Sequence, residues 1–294
     1  MSPRSAAASA WHLARQTALE WWRDDAPRLG AALAYYTVFS IAPVLVISVA
    51  LAGFFFGEEA ARGHVVDQLR GLMGADGASV VQSAIERASL RGGAGLGATA
   101  LSVLTLLLGA SGAFGQLQYA LNRIWNVEGK TGGGVLRAAR ERFLSFSMVL
   151  LIGFLLLVSL VVSALLAMLD EFVSGRMEWL QPMLALVNLV VSLGVVTVLF
   201  AMMFKTLPDA DVRWSDVWIG ATVTALLFVV GKAAIGLYLG NSSVASVYGA
   251  AGSLVVVLLW VYYSAQILFL GAEFTQVFAR WQRGGGKLPS PPQG

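Results

Sequence analysis

The stretch Ser246–Ala279 reads SVYGAAGSLVVVLLWVYYSAQILFLGAEFTQVFA, and it decides the fold class of the chain. It exceeds the roughly 20 apolar residues that a helix needs to cross a bilayer. It also carries Gln266 and Glu273 within its apolar run. A carboxylate at such a depth is costly and requires a partner or water. The stretch therefore predicts a membrane-spanning helix that holds a candidate functional group.

The composition of the whole chain is typical of a membrane protein. Of the 294 residues, 57% are hydrophobic and 13% are charged, whereas soluble domains carry about 25% charged residues. The chain has no cysteine, which excludes disulfides and thiolate chemistry. The two histidines fall on opposite sides of the predicted membrane, so we expect no metal site. No phosphate-binding loop is present, so we expect no ATP hydrolysis. We expect no cofactor and no catalytic residues, since no soluble-enzyme motif stands in a fitting structural context.

Six apolar segments follow one another along the chain, and each is too long for a strand of a membrane barrel. We place them at 30–56, 96–117, 143–169, 183–204, 217–239 and 248–278. Helices satisfy their own backbone hydrogen bonds in lipid. The sequence therefore predicts an all-α, polytopic protein with six transmembrane helices.

The distribution of Lys and Arg predicts the orientation of these spans. The N-terminus, the second and fourth loops and the C-terminus hold 14 of the 20 Lys and Arg residues. The opposite side holds five, which are Arg62, Arg70, Arg87, Arg91 and Arg176. By the positive-inside rule, both termini are expected in the cytoplasm. The N-terminus also lacks the continuous apolar core of a signal peptide, so the first span is expected to be retained.

The segments outside the spans have patterns of their own. Residues 1–29 are predicted to form a cytoplasmic N-terminal interfacial helix, with Trp11, Trp21 and Trp22 at headgroup level. Apolar residues at helical spacing predict two short amphipathic helices within 58–91, in the first outer loop. The six-helix transmembrane domain then covers 30–283, and the Gly- and Pro-rich segment 284–294 is predicted to be a disordered cytoplasmic tail.

Polar side chains form stripes at helical spacing in the cytoplasmic halves of three spans. Together they predict a polar cavity with Glu273 at its inner mouth and Arg123, Arg142 or Arg280 as its partner. The alternative is that the polar groups pack helices together, and that Glu273 is solvated or paired with a surface arginine. The candidate cavity residues are Tyr36, Ser40, Gln118, Asn122, Tyr263, Gln266 and Glu273.

Three further features stand out within the spans. Lys232 is predicted as a buried charge that either snorkels outward or pairs with an acidic residue. Pro43 predicts a kink in the first span. Small residues predict close helix packing at Gly109, Gly112, Gly115, Gly249 and Gly252.

Several of these segments resemble one known family. They are AALAYYTVFSIAP at 31–43, LNRIWNV at 121–127, LPD at 207–209, WIGA at 218–221, and above all WVYYSAQ at 260–266 and LGAEF at 270–274. They resemble the YihY/BrkB family of bacterial inner-membrane proteins. The resemblance implies six spans and a link to virulence, serum resistance or export of envelope material. An older ribonuclease BN label also attaches to the family.

The leading functional hypothesis is an inner-membrane, transporter-like protein that moves a lipid or an amphiphilic solute. The alternative is an envelope scaffold that acts through residues 58–91. A ribonuclease is disfavoured, because a nuclease needs positioned metal ligands or an acid–base pair facing RNA. Membrane lipids are the expected partners, nucleic acid is not expected, and the oligomeric state is open.

Overall fold

The computed structural model describes residues 3–40, 112–127, 181–241 and 252–284, together with seven positions between 63 and 83. Every regular element in these residues is an α-helix, which confirms the predicted all-α class. In chain order the helices are α1 (Pro3–Arg23), α2 (26–40), α3 (112–124), α4 (Gln181–Thr206), α5 (Trp214–Asn241) and α6 (Gly252–Arg283).

Three of these helices are long and apolar enough to cross a membrane. The spanning windows are Leu189–Thr206 in α4, Trp214–Tyr238 in α5 and Leu254–Arg283 in α6. They coincide with the predicted fourth, fifth and sixth spans. The described parts of the first and second predicted spans are the helices α2 and α3. The total of six spans stays a prediction.

Several predicted features lie outside the described residues. They are the span 143–169, the kink at Pro43, the arginine Arg142, the glycines Gly109 and Gly249, and the tail beyond Gly284. In the first outer loop the seven described positions are helical. The two amphipathic helices of 58–91 stay a prediction, because these positions do not define their bounds.

A tight turn joins α1 to α2. Asp25 adopts φ 55, a left-handed conformation that ends a helix and that Asp tolerates better than most residues. The backbone N–H of Asp24 still donates to Glu20 at 2.8 Å, and that of Arg28 donates to Asp25 at 2.9 Å. Pro27 occupies the first turn of α2, where its missing N–H costs nothing. The turn therefore reverses the chain without leaving its ends unpaired.

Helix α3 also ends at a residue with a left-handed backbone conformation. Asn126 adopts φ 52, the N–H of Val127 donates to Asn122 at 2.9 Å, and the N–H of Asn126 donates to Arg123 at 3.0 Å. This pair of bonds is a Schellman motif. It places the last turn of α3 beside the loop between α4 and α5.

One apolar core holds the five helices α2, α3, α4, α5 and α6 together. Phe204 of α4 is fully buried, with Phe200 stacked on it at 6.2 Å and Trp125 at 5.9 Å between ring centroids. Around this ring cluster pack Leu33 of α2, Leu121 of α3, Val217 of α5 and Phe269 of α6. Burial of these apolar side chains fixes the helices to each other near their polar ends.

Helices α5 and α6 pack antiparallel through two reciprocal contacts. A Cβ at Gly220 of α5 would overlap Thr275 of α6, and a Cβ at Gly271 of α6 would overlap Thr224 of α5. Each Thr hydroxyl donates to the carbonyl one turn earlier on its own helix, at 2.7 Å. The glycines therefore permit an approach that any other residue would prevent.

Helix α1 packs against α6. Its buried positions are Leu13, Thr17 and Glu20, which share one face of the helix, whereas Trp11 and Trp22 are 70% and 71% exposed. We call this end of the bundle, where α1, the start of α5 and the end of α6 meet, the α1 end.

Candidate functional site

Glu273 is enclosed by the protein. Its exposed fraction is 0%, although it lies in the apolar helix α6. At about 1.5 Å per residue it sits roughly 15 Å before the last residue of α6, so it belongs to the α1 end. Treated as an ionised group, its two oxygens meet no hydrogen-bond donor among the described residues. Such burial without a donor is costly for a charge.

The group next to Glu273 is another carboxyl, that of Asp24. Asp24 is half-buried in the turn between α1 and α2, within hydrogen-bonding reach of Glu273. Two ionised carboxylates cannot bond to each other, since both only accept. A hydrogen bond between them requires one proton, and the arrangement is therefore that of an acid–carboxylate pair.

Among the described residues, four ion pairs lie around this acid pair, and two of them, Arg23 with Glu20 at 3.8 Å and Arg28 with Asp25 at 3.5 Å, are local to α1 and its turn. The other two join separate helices. Arg280 of α6 lies 3.4 Å from Glu20 of α1, and Arg123 of α3 lies 3.7 Å from Asp25 in the turn. Glu20 also accepts a hydrogen bond from Gln16 at 3.0 Å. These contacts attach α1 and its turn to α6 and α3.

The electrostatics of Asp24 favour its protonated form. Burial raises the pKa of the Asp24 carboxyl above its ordinary value of 3.8, and the neighbouring Glu20 raises it as well. The hydrogen bond with Glu273 and the guanidinium groups of Arg123 and Arg280 lower the pKa, but the raising effects prevail. A turn residue that is only half-buried thus titrates nearer to neutral pH than a free aspartate.

The other predicted cavity residues lie at several different interfaces. Gln266 is on the α2 side of α6, where its Nε2 donates to the carbonyl of Ala26 at 3.4 Å and its side chain occupies the space beside Gly30. Tyr263 is on the α5 side, beside Gly231. Both side chains therefore contribute to helix contacts, one on each side of α6.

Tyr36 and Ser40 lie on α2. The ring of Tyr36 packs beside Gly112 of α3, and the Ser40 hydroxyl donates to the carbonyl of Tyr36 at 2.9 Å. Gln118 is half-buried on α3. The ring of Tyr36 therefore contributes to the packing of α2 against α3.

Asn122 forms a two-bond clamp with Asp209. Its Nδ2 donates to Oδ2 of Asp209 at 3.0 Å, and its Oδ1 accepts from the backbone N–H of Asp209 at 2.7 Å. The clamp attaches the end of α3 to the loop between α4 and α5. This arrangement gives Asn122 a structural role between two segments of the chain.

Lys232 is exposed on α5, so the protein does not enclose this predicted buried charge, and its outward snorkelling or acidic partner stays a prediction. One expectation from the sequence needs correction. Gly115, predicted as a packing residue, is exposed, and a Cβ there would meet no atom within 4 Å. Gly112 does contact Tyr36, and Gly252 is buried. The closest contacts of α6 instead involve Gly30, Gly220, Gly231 and Gly271.

The sequence reasoning missed Asp24, Glu20 and the Gly–Thr contacts. Asp24 precedes a predicted span, so it was assigned to the cytoplasmic segment and not to the neighbourhood of Glu273. A signal for the contacts was present, since both α5 and α6 contain Gly-x-x-x-Thr, at 220–224 and 271–275. Within the described part of the chain, no group of three His, Cys, Asp or Glu side chains is arranged to hold a metal ion.

Comparison with known families agrees with this architecture. The profile of the family described as "Virulence factor BrkB" matches residues 17–293, nearly the whole chain. This chain belongs to the BrkB family. The match includes α1 from Thr17 onward, so both carboxyl groups of the acid pair lie within the family domain.

Curated BrkB relatives carry the name UPF0761 membrane protein. One from Tolumonas auensis is 28% identical over 89% of this chain and 83% of its own length. One from Pseudoalteromonas translucida is 28% identical over 87% of this chain and 84% of its own length. One from Alkalilimnicola ehrlichii is 26% identical over 88% of this chain but only 56% of its own length. No solved structure gives a significant match. The chain is therefore a membrane protein of this family.

Proposed function

We propose that this chain is a transporter-like protein of the bacterial inner membrane, which moves a lipid or another amphiphilic solute. In this proposal both termini are cytoplasmic, and the protein neither hydrolyses ATP nor catalyses a reaction. The observation that supports it is Glu273, a fully buried carboxyl group in an apolar helix of a membrane protein. Ionisable groups in such positions are costly and commonly mark a substrate or ion pathway.

The position of Glu273 supports a role in transport more than a purely structural role. It lies where α6 meets the turn between α1 and α2. Its neighbour Asp24 is also acidic, so the pair weakens the packed state whenever both groups are ionised. The family description as a virulence factor supports a role in the bacterial envelope. The scaffold alternative depends on residues 58–91, most of which lie outside the described residues.

Lipid movement by purified protein tests this function. Proteoliposomes that contain an NBD-labelled phospholipid are assayed for its movement between leaflets, with wild-type protein, Glu273→Gln and Asp211→Asn. Glu273→Gln keeps the size of the side chain but removes its titration, so we expect a loss of at least about tenfold in rate, equivalent to about 1.4 kcal/mol. Asp211→Asn is the matched control, since the Asp211 carboxylate is exposed and pairs with Lys205 near the loop between α4 and α5.

A second assay uses cells. Wild-type protein and Asp211→Asn should restore detergent resistance to a strain that lacks its own member of the family, and Glu273→Gln should not. If Glu273→Gln is expressed at the normal level and is as active as the wild type in both assays, the proposed role of Glu273 is wrong.

A further inference from the structure

We propose that Asp24 and Glu273 form a proton-binding site in which the two carboxyl groups share one proton. The inference rests on the proposed function and deepens it, because it names the proton as the ion to which transport is linked. The site joins the turn between α1 and α2 to α6, at the α1 end of the bundle.

The first argument is the hydrogen bonding of the pair. The two oxygens of Glu273 are buried, and no donor among the described residues reaches them when both acids are counted as ionised. Asp24 and Glu273 are nevertheless placed to form a side-chain hydrogen bond. That bond exists only if one of the two carboxyl groups carries a proton. A single proton therefore satisfies both groups at once.

The second argument is the charge of the surroundings. Glu20 of α1 adds a third carboxylate close to the pair. The arginines that act on the pair are Arg280 of α6 and Arg123 of α3. Arg280 lies 3.4 Å from Glu20 and Arg123 lies 3.7 Å from Asp25. The buried Nε and Nη2 of Arg280 make no hydrogen bond with the described residues. Neither arginine makes a hydrogen bond with Glu273.

Helix α5 adds another acid at the same end. Asp216 is buried in the first turn of α5, where its Oδ1 accepts a hydrogen bond from Ser215 at 3.3 Å. Because α5 is antiparallel to α6, with Gly220 opposite Thr275, this first turn lies beyond Glu273 toward the end of α6. Arg23 also pairs with Glu20 at 3.8 Å, and Arg28 with Asp25 at 3.5 Å. Even with these two, four arginines face five carboxyl groups among the described residues around the site, so a bound proton reduces the excess of negative charge. The five carboxyl groups are Glu20, Asp24, Asp25, Asp216 and Glu273.

The third argument is access. Asp24 is half-buried in a turn, whereas Glu273 is enclosed. A proton from the solvent at the α1 end therefore reaches Asp24 first, and the direct hydrogen bond carries it to Glu273. The step moves one proton from one carboxyl oxygen to another and needs no other reactant.

Infrared difference spectroscopy of the purified full-length protein tests the site directly. At neutral pH the wild type should show the C=O band of a protonated carboxyl group, which shifts in D₂O and disappears as the pH is raised. The band should be lost in Glu273→Gln, because the remaining Asp24 then has an amide donor and ionises. It should move or disappear in Asp24→Asn and stay unchanged in Asp211→Asn, whose carboxylate is exposed in the loop between α4 and α5.

Isotope labelling keeps the test decisive even if a variant does not fold. Wild-type protein grown with carboxyl-¹³C aspartate or with carboxyl-¹³C glutamate should show a shifted band in at least one of the two samples. The inference is overturned if wild-type protein at neutral pH shows no band of a protonated carboxyl group. It is also overturned if both variants keep that band unchanged. A carboxylate signal that responds to Na⁺ at constant pH, and not to pH, also overturns it.

The spectroscopic result is independent of transport. If the band behaves as expected but the proteoliposomes move no labelled lipid, the proton site stands and the proposed function is wrong. If labelled lipid moves but the band is absent, the proposed function stands and the proton site is wrong. If both hold, a pH gradient across the proteoliposome should change the rate of wild-type protein at least twofold and leave Glu273→Gln unaffected.

Discussion

At the scale of single residues, the same residue type has opposite roles according to what lies next to it. Gly236 on α5 would accept a Cβ without any contact within 4 Å, whereas a Cβ at Gly220 on the same helix would overlap Thr275. Gly271 on α6 is limited in the same way by Thr224. A glycine destabilises a helix by about 1 kcal/mol relative to alanine. Only the glycines in close contact offset this loss, because they allow the helices to pack more closely.

Gly220→Ala and Gly271→Ala should each destabilise the protein. Each adds a methyl group that overlaps a threonine, and over-packing of this kind costs about 1–3 kcal/mol. We expect a lower thermal unfolding temperature in detergent for both variants. Gly236→Ala is the matched control on α5, and its helix propensity should leave the unfolding temperature unchanged or raise it. Equal unfolding temperatures for all three variants would contradict the close packing of α5 on α6.

At the scale of elements, α1 is an amphipathic helix whose buried face carries an acid. Glu20 on this face is paired with Arg280, and the turn that follows brings Asp24 to Glu273. The attachment of α1 to α6 therefore depends on charge as well as on the apolar contact of Leu13. An attachment of this kind responds to pH.

The docking of α1 should weaken as the pH rises. Burial raises the pKa of Asp24 above 3.8 in the docked state, and undocking returns it to that ordinary value. Between these two pKa values the docked state binds more protons than the undocked state. The contribution of Asp24 to docking is therefore complete below pH 3.8 and is lost as the pH rises through the raised pKa. Ionisation of Asp24 beside the other carboxylates is the physical cause.

Cysteine accessibility measures this docking, since the chain has no cysteine of its own. A thiol in Thr17→Cys replaces a buried side chain, whereas one in Ala18→Cys lies on the exposed face of α1. Thiol reactivity itself rises with pH, so the relevant quantity is the ratio of the two labelling rates. That ratio should increase with pH in the wild-type background. A ratio that is constant across the titration would show that Asp24 does not control docking.

At the scale of the whole molecule, charged residues gather at one end of the described helices. The start of α5, the end of α6 and the turn after α1 all lie at the α1 end, and Arg280 and Arg283 complete the last turn of α6. Basic residues in the last turn are favourable for the helix dipole. Their presence at this end also agrees with the positive-inside rule, under which the α1 end faces the cytoplasm.

Thiol labelling in spheroplasts tests the orientation. A membrane-impermeant maleimide should label Ser174→Cys, which follows the third predicted span, in intact spheroplasts. It should label Ala18→Cys and Gly284→Cys only after the membrane is permeabilised. Labelling of Ala18→Cys in intact spheroplasts at the rate seen for Ser174→Cys would mean that the N-terminus is outside.

The sequence by itself determined the membrane class, the helical nature of the chain and the family. These follow from local properties, because the length of an apolar run and the presence of a motif are legible along one segment. It also singled out Glu273, since a carboxylate in an apolar run is conspicuous without any structure. The three helices that are long and apolar enough to cross a membrane coincide with the fourth, fifth and sixth predicted apolar runs.

Only the tertiary structure decided what each polar residue contacts. Helical spacing placed Gln266 and Glu273 on one face of α6, but it did not show that Gln266 meets α2 while Glu273 meets Asp24. Nor did it show that Asn122 binds Asp209, 87 residues later in the chain. Periodicity gives the direction of a side chain around its own helix, whereas its partner depends on how the helices pack. The acid pair arises at such a contact, between two carboxyl groups that the sequence places at opposite ends of the chain.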